Sequence, residues 1–187
     1  MLTAVRLADE KGHLDLLVKQ YPNGKQSTFL HGMKAGDSVT FLRIPSYGWK
    51  ANAHSHVALV AGGQGITPCY QLARGILKNA DDKTRVTLVW GVNTDEDVVL
   101  RGEFSLLERQ HPGRFKAVYT VSNPKEGSRF GKGYVTKELL EASGVVPGEN
   151  GVGQVFVCGP PPMEKALVGA SGVLTQMGFS KKQVHKF

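Results

Sequence analysis

Two short stretches carry residue types whose order suggests ligand chemistry. The first is Gly62-Gly63-Gln64-Gly65-Ile66-Thr67-Pro68, directly behind the apolar run "HVALVA". Glycines after a buried strand let the backbone approach a ligand closely. A helix start behind them offers free N–H groups and the positive end of a dipole, an arrangement that cradles phosphate. The same letters also describe an ordinary tight β–α turn. Their spacing is neither Gly-x-Gly-x-x-Gly nor Gly-x-x-x-x-Gly-Lys-Ser/Thr, so both readings stand. The second stretch is Cys158-Gly159-Pro160-Pro161-Pro162-Met163, which again leaves an apolar run and enters a helix through three stiffening prolines. If the two runs are neighbouring strands, both loops border one crevice with the Cys158 thiol at its floor. Otherwise Cys158 is a small buried hydrophobe. A third stretch, Gly24-Lys25-Gln26-Ser27, reads alone as a turn with a capping serine.

The elements that must position these loops follow from the hydrophobic rhythm. From about 56 onward, "HVALVA", "RVTLVWG", "FKAVYTVS" and "QVFVCG" are short, nearly continuous apolar runs, as expected of strands buried on both faces. Helical stretches lie between them. "TPCYQLARGILKN" carries Pro68 in its first turn, and "EDVVLRGEFSLLERQ" places Leu100, Phe104 and Leu107 on one face. "TKELLEAS" follows the third strand, "PPMEKALVGASGVLTQMG" the fourth, and "KKQVHKF" supplies a closing strand. This alternation predicts an α/β fold with a doubly wound parallel sheet over residues 51–187. Residues 1–50 have another rhythm: strand-like "HLDLLVKQY" (13–21), turn chemistry in "YPNGK", a short helix in "STFLHGM", and a second strand in "DSVTFLRI" (37–44). "PSYGWKANAHS" reads as the boundary loop.

Composition sets outer bounds. The 187 residues, 41% hydrophobic, describe an ordinary globular chain, and a net charge of +7 suggests an acidic partner without choosing its kind. The 2 cysteines give neither a disulfide framework nor metal spacing, which fits a reducing compartment. No run approaches the roughly 18 apolar residues of a membrane span, and the opening "MLTAVRLADEKGHLD" lacks a signal-type apolar core, so a soluble intracellular chain is expected. The 6 histidines lack metal-ligand spacing and no Ser-His-Asp order stands out, which sets metalloenzyme and hydrolase chemistry aside. No nucleic-acid recognition motif occurs.

Together the loops resemble the NADH-cytochrome b5 reductase branch of the ferredoxin-NADP reductase superfamily. "AGGQGITP" is similar to that branch's Gly-Gly-Thr-Gly-Ile-Thr-Pro loop, and "CGPPPM" matches its motif letter for letter. "VNTDEDVVLRGEF" resembles its Asn-x-Thr-Glu-x-Asp-Ile-Leu-Leu-Arg-x-Glu-Leu segment, and "GKQSTFLHGMKAGDSV" its flavin-pyrophosphate stretch. The resemblance implies FAD and NADH as cofactors. Gly62, Gly63, Gln64, Gly65, Ile66, Thr67 and Pro68 would form one side of the nicotinamide crevice, with Thr67 near the flavin ring. Cys158, Gly159, Pro160, Pro161 and Met163 would form the opposite wall, Thr67 and Cys158 acting as catalytic orienters. Asn93, Thr94 and Ser122 would lie towards the ribose and adenine. Gly24, Lys25, Gln26 and Ser27 would meet the flavin pyrophosphate, and the terminal Phe187 also fits the family.

Three departures qualify what the resemblance implies. Gln64 stands where the family loop has Thr. Ser122 stands where NADH-preferring members often carry Asp, with Lys125 and Arg129 close by, so NADPH is not excluded; both basic residues also read as solvated loop charges. The flavin motif Arg-x-Tyr-Thr/Ser aligns its last residue with Thr3 and its tyrosine with Leu2, leaving the arginine unmatched. The fold expected is therefore part of an antiparallel β flavin-binding barrel over 1–50, then an NAD(P)-binding domain over 51–187. A whole barrel needs on the order of 100 residues. Two functions follow. One is an enzyme passing electrons from NAD(P)H through FAD to a haem protein such as cytochrome b5, its parent associated with mitochondrial or endoplasmic reticulum membranes. The other is a nucleotide-binding or structural subunit without turnover, in which a partner protein covers the open side of the barrel.

Overall fold

The computed structural model describes residues 12–41 and 47–187. Six strands form one parallel sheet: β1 (His56–Gly62), β2 (Arg85–Val92), β3 (Phe115–Val121), β4 (Gly131–Lys132), β5 (Gln154–Cys158) and β6 (Val184–Lys186), in the order β4-β3-β2-β1-β5-β6. The helices are α1 (Lys25–Gly32), α2 (Ile66–Lys78), α3 (Arg101–Gln110), α4 (Lys137–Ala142), α5 (Pro161–Val168) and α6 (Val173–Gln176). The apolar runs become strands because both sheet faces are covered, and β1 is buried at every position. Side chains alternate between two cores. Val57, Leu59 and Ala61 enter the core holding Ile66, Trp90 and Phe104, while Ala58 and Val60 enter the one holding Leu140, Leu167 and Leu174.

The winding direction fixes where a ligand can sit. The chain runs outward from β1 to β2 and β3, then returns to place β5 on the other side of β1. The order reverses between β1 and β5, and in open α/β sheets the crevice lies outside the carboxyl ends of the strands at such a reversal. The two loops singled out from sequence leave these two strands, which pair with Ala61 opposite Cys158.

Three local expectations differ from the structure. The helix read across 161–178 is two, α5 and α6, because Gly169 and Gly172 interrupt it and both adopt extended backbone as caps. "HLDLLVKQY" forms only a lone bridge at Leu16 among the described residues. Side chains hold its polar backbone instead: Gln64 bonds Leu17 and Lys19, and His31 Nε2 donates to the Val18 carbonyl at 2.9 Å. Of the strand expected at 37–44, residues 37–41 are not in a strand and 42–44 lie outside the described residues, as do Leu2 and Thr3.

The approach to β1 is tied down from below. Trp49 Nε1 donates to Asp82 Oδ2 at 2.7 Å, and the Asn52 and Thr84 N–H groups donate to Oδ1 at 3.3 and 3.0 Å. Burial pushes the Asp82 carboxyl up, but these bonds together outweigh it and hold it below the ordinary carboxylate range.

Candidate functional site

The glycine loop and the proline loop interlock. A Cβ on Gly62 would lie 2.2 Å from Met163 Sδ, and one on Gly65 would lie 2.0 Å from the Cys158 carbonyl oxygen. Only glycine permits this approach at either place. Behind the loop, Trp90 Nε1 donates to the Gly63 carbonyl at 3.0 Å, and Thr67 Oγ1 donates to the Gln64 carbonyl at 3.2 Å. The turn is therefore fixed by its neighbours before any ligand arrives.

Above it opens a crevice of about 480 Å³, within the range of small-molecule sites. Gly62, Gly63, Pro160 and Met163 line one side, with Asn93 and Ser122 across it. A Cβ on Gly63 would meet nothing within 4 Å, so the backbone there faces open space that a side chain would fill. These residues suit a nucleotide: apolar walls for rings, exposed backbone for phosphate and a few polar side chains for ribose.

Other expected residues lie elsewhere. Gly65, Ile66, Thr67 and Pro68 are buried in the turn and the first turn of α2, behind the crevice lining. Gln64 faces the N-terminal segment. The Thr94 hydroxyl donates to Asp97 Oδ2 at 3.3 Å and closes its own turn. Pro161 begins α5 without lining the crevice. The Phe187 ring stacks on Phe156 at 5.7 Å, and its N–H donates to the Val157 carbonyl. Ser27 is buried, its hydroxyl accepting from the Tyr21 N–H and donating to the Gly24 carbonyl, both at 3.2 Å. That leaves the first-turn N–H groups of α1, at Lys25 and Gln26, as the donors suited to an anion there.

Cys158, the last residue of β5, and Gly159 directly after it are half-buried at the loop contact. Burial first, and the Glu164 carboxylate second, push the Cys158 thiol up to about 11. It is a neutral thiol at neutral pH, suited to packing and orientation rather than nucleophilic attack. Lys125 and Arg129 are not among the residues that line the crevice. The Lys125 N–H donates to Asp95 Oδ2 at 3.0 Å, its Nζ lies 3.9 Å from Glu96, and Arg129 lies over the Phe130 ring.

Sequence reasoning missed Lys19, Tyr21, Val135 and Tyr134, all of which line the crevice. Tyr134 is 76% exposed, an unusual position for so large a ring. Its place after the positive-φ Gly133, in "GKGYV", was the available signal. Lys19 and Tyr21 could not be found that way, since only the folded chain brings 19–21 to the sheet. Among the described residues no helix is long and apolar enough to cross a membrane, and no group of three or more His, Cys, Asp or Glu could hold a metal.

Known proteins resemble this chain in sequence and in fold. Residues 1–45 match the family described as oxidoreductase FAD-binding domain. NADH-cytochrome b5 reductase 2 of Emericella nidulans is 49% identical over 190 residues, 96% of this chain and 59% of that protein. Its counterpart in Aspergillus clavatus is 47% identical over 196 residues, 99% of this chain and 61% of that protein. The chain thus spans about three fifths of the length of these curated relatives. Among solved structures, the cytochrome b5 reductase domain of Ulva prolifera nitrate reductase superposes with a TM-score of 0.83 at 29% identity, covering 100% of this chain and 78% of that one. The CS-b5R domains of human Ncb5or, at 22% identity, share the fold with a TM-score of 0.77, covering 100% of this chain and 54% of that one. With residues 59–168 matching its model, the chain belongs to the oxidoreductase NAD-binding domain family.

Proposed function

We propose that this chain is the nicotinamide-binding half, with part of the flavin-binding half, of an NADH-dependent flavin reductase that delivers electrons to a haem protein such as cytochrome b5. Residues 51–187 form the nicotinamide side and residues 1–50 contribute to the flavin side. The observation that carries this reading is the interlock of the glycine and Cys-Gly-Pro-Pro-Pro-Met loops beside a crevice of about 480 Å³ where the strand order reverses. The curated relatives, named NADH-cytochrome b5 reductase 2, support it.

Within this reading the chain's residues bind and orient. Gly62 and Gly63 bring the backbone against the dinucleotide, and Pro160 and Met163 form the facing wall. Asn93 and Ser122 supply polar groups on the ribose side. The Thr67 hydroxyl braces the glycine loop through the Gln64 carbonyl, and the Cys158 backbone packs against Gly65. Lys25 and Gln26, at the start of α1, offer backbone N–H groups to the flavin pyrophosphate. Held there, the nicotinamide and the flavin would supply the hydride and single-electron chemistry. None of the side chains needs to move a proton; their contribution is position.

Ser122 lacks the charge that would repel a 2′-phosphate, yet Lys125 and Arg129, the nearby basic residues, lie outside the crevice lining. NADH is therefore the expected reductant, with NADPH bound more weakly. The test is a visible absorbance spectrum of the purified chain after incubation with FAD and desalting. Retained flavin bands that bleach faster with NADH than with NADPH are expected. A colourless protein that still binds NADH would favour a nucleotide-binding subunit without turnover, and one that binds neither would contradict the proposal.

A further inference from the structure

Gln64 sends its side chain out of the glycine loop to the N-terminal segment. Its Oε1 accepts the Lys19 N–H at 3.0 Å, and its Nε2 donates to the Leu17 carbonyl at 2.6 Å. A side-chain amide that bonds the carbonyl before Val18 and the N–H after it takes the place a neighbouring strand would fill in a parallel ladder. Lys19 Nζ then reaches Asp97 at 2.6 Å, on the turn after β2. Beneath these bonds lies a cavity of about 160 Å³, lined by Leu17, Val18, Gly63, Ile66, Trp90 and Val99 among others. The segment therefore rests on polar pins over a gap rather than on packed side chains.

The pinned segment matters because it continues into the crevice. Lys19 and Tyr21 line the same space as Gly62, Gly63 and Met163. Two residues on, the turn at Pro22-Asn23 leads into α1, whose first turn is Lys25-Gln26-Ser27. One amide thus joins the nucleotide loop to the wall of the crevice and to the segment on the flavin side.

The geometry points to Gln64 as a positioning residue: its carboxamide clasps the backbone at 17–19 and fixes the distance between the dinucleotide crevice and the flavin-side segment. The inference rests on the nicotinamide reading for its functional consequence, but the clasp itself does not. Gln64 holds the wall without touching the reacting atoms, so its loss loosens the crevice while leaving the sheet intact. A substitution by Met keeps length and volume and removes both bonds. A substitution by Asn keeps the amide but shortens it by one methylene, so it cannot span both partners.

The experiment is hydrogen exchange at the Lys19 amide in the whole chain, with NADH affinity measured on the same samples. In Gln64→Met the Lys19 amide is expected to exchange about tenfold faster, the loss expected for a typical protected hydrogen bond, while the Leu59 amide in β1 keeps its protection. NADH is expected to bind several-fold more weakly, and Gln64→Asn to fall with Gln64→Met rather than with the parent. Unchanged exchange at Lys19 in Gln64→Met would overturn the clasp, whatever NADH does. Faster exchange with unaltered NADH affinity would overturn its positioning role. A parent chain that fails to bind NADH would instead defeat the nicotinamide reading, with the exchange result still deciding the clasp.

Discussion

The sheet region and the segment over 12–41 achieve order by different means. In the sheet, strands buried on both faces satisfy one another's backbone groups, and the loops at their carboxyl ends lock against each other with no space for a single Cβ. The N-terminal segment has one short helix and a lone bridge among its described residues, and leaves Leu14, Tyr21, Phe29, Val39 and Phe41 substantially exposed. Its backbone is held by side chains, Gln64 reaching over from the glycine loop and His31 from the segment's own helix. A site built on the first kind of region is preorganised, while one built on the second depends on a few polar contacts that a single substitution removes.

The largest way to break that contrast is Gly65→Ala. Its methyl group would fall 2.0 Å from the Cys158 carbonyl, so the loops must part. A loss of about 3 kcal/mol is expected from overpacking against backbone, measurable by urea unfolding, together with loss of NADH binding. A near-neutral outcome would show that the interlock is softer than its geometry.

Acid provides the next probe. Burial first, and Arg85 second, lower His56 from 6.5 to about 4, and its Nε2 lies 2.9 Å from Thr87 Oγ1. Between these values the unfolded chain binds the proton and the folded one does not. The stability from a neutral His56 is therefore full above pH 6.5 and lost as pH falls towards 4, by on the order of 2–3 kcal/mol. Unfolding curves from pH 7 to 4 should show this slope, and His56→Gln should flatten it.

At the junction between the two regions, Trp49→Phe removes the 2.7 Å donor to the buried Asp82 carboxylate. About 1–3 kcal/mol should be lost, because one carboxylate oxygen is left without that partner. In the N-terminal segment itself, Lys19→Met removes the ion pair with Asp97, whose side chains are 35% and 22% exposed. Global stability should change by about 0.5 kcal/mol or less, as for other partly exposed pairs. An effect as large as that of Trp49→Phe would mean that the segment is as firmly built as the sheet.

The same contrast explains what could be read from the letters. "HVALVA", "RVTLVWG" and "QVFVCG" announce buried strands because their burial requires no polar alternation, and Pro68 and the prolines at 160–162 mark the helix starts behind them. The pairing of Ala61 with Cys158 was legible only conditionally, since strand adjacency is a property of the winding. "HLDLLVKQY" has strand-like content but no ladder among the described residues, and nothing local announces that Gln64, 45 positions from Lys19, supplies its bonds. The turn "YPNG" was legible: Asn23 takes φ +60° behind Pro22, and the Gly24 N–H closes it on the Tyr21 carbonyl at 3.0 Å. The two-residue β4 was not, because it is set by the sheet edge on which it lies, and for Tyr134 the letters offered only the preceding glycine of "GKGYV".

The most direct measurement is an equilibrium titration of the chain with NADH, followed by fluorescence of Trp90, whose indole is hydrogen-bonded to Gly63 in the glycine loop. Saturable one-to-one binding, abolished by Gly65→Ala, is the expected result. No saturable change in the parent chain, or binding that survives Gly65→Ala undiminished, would contradict a dinucleotide site between the two loops.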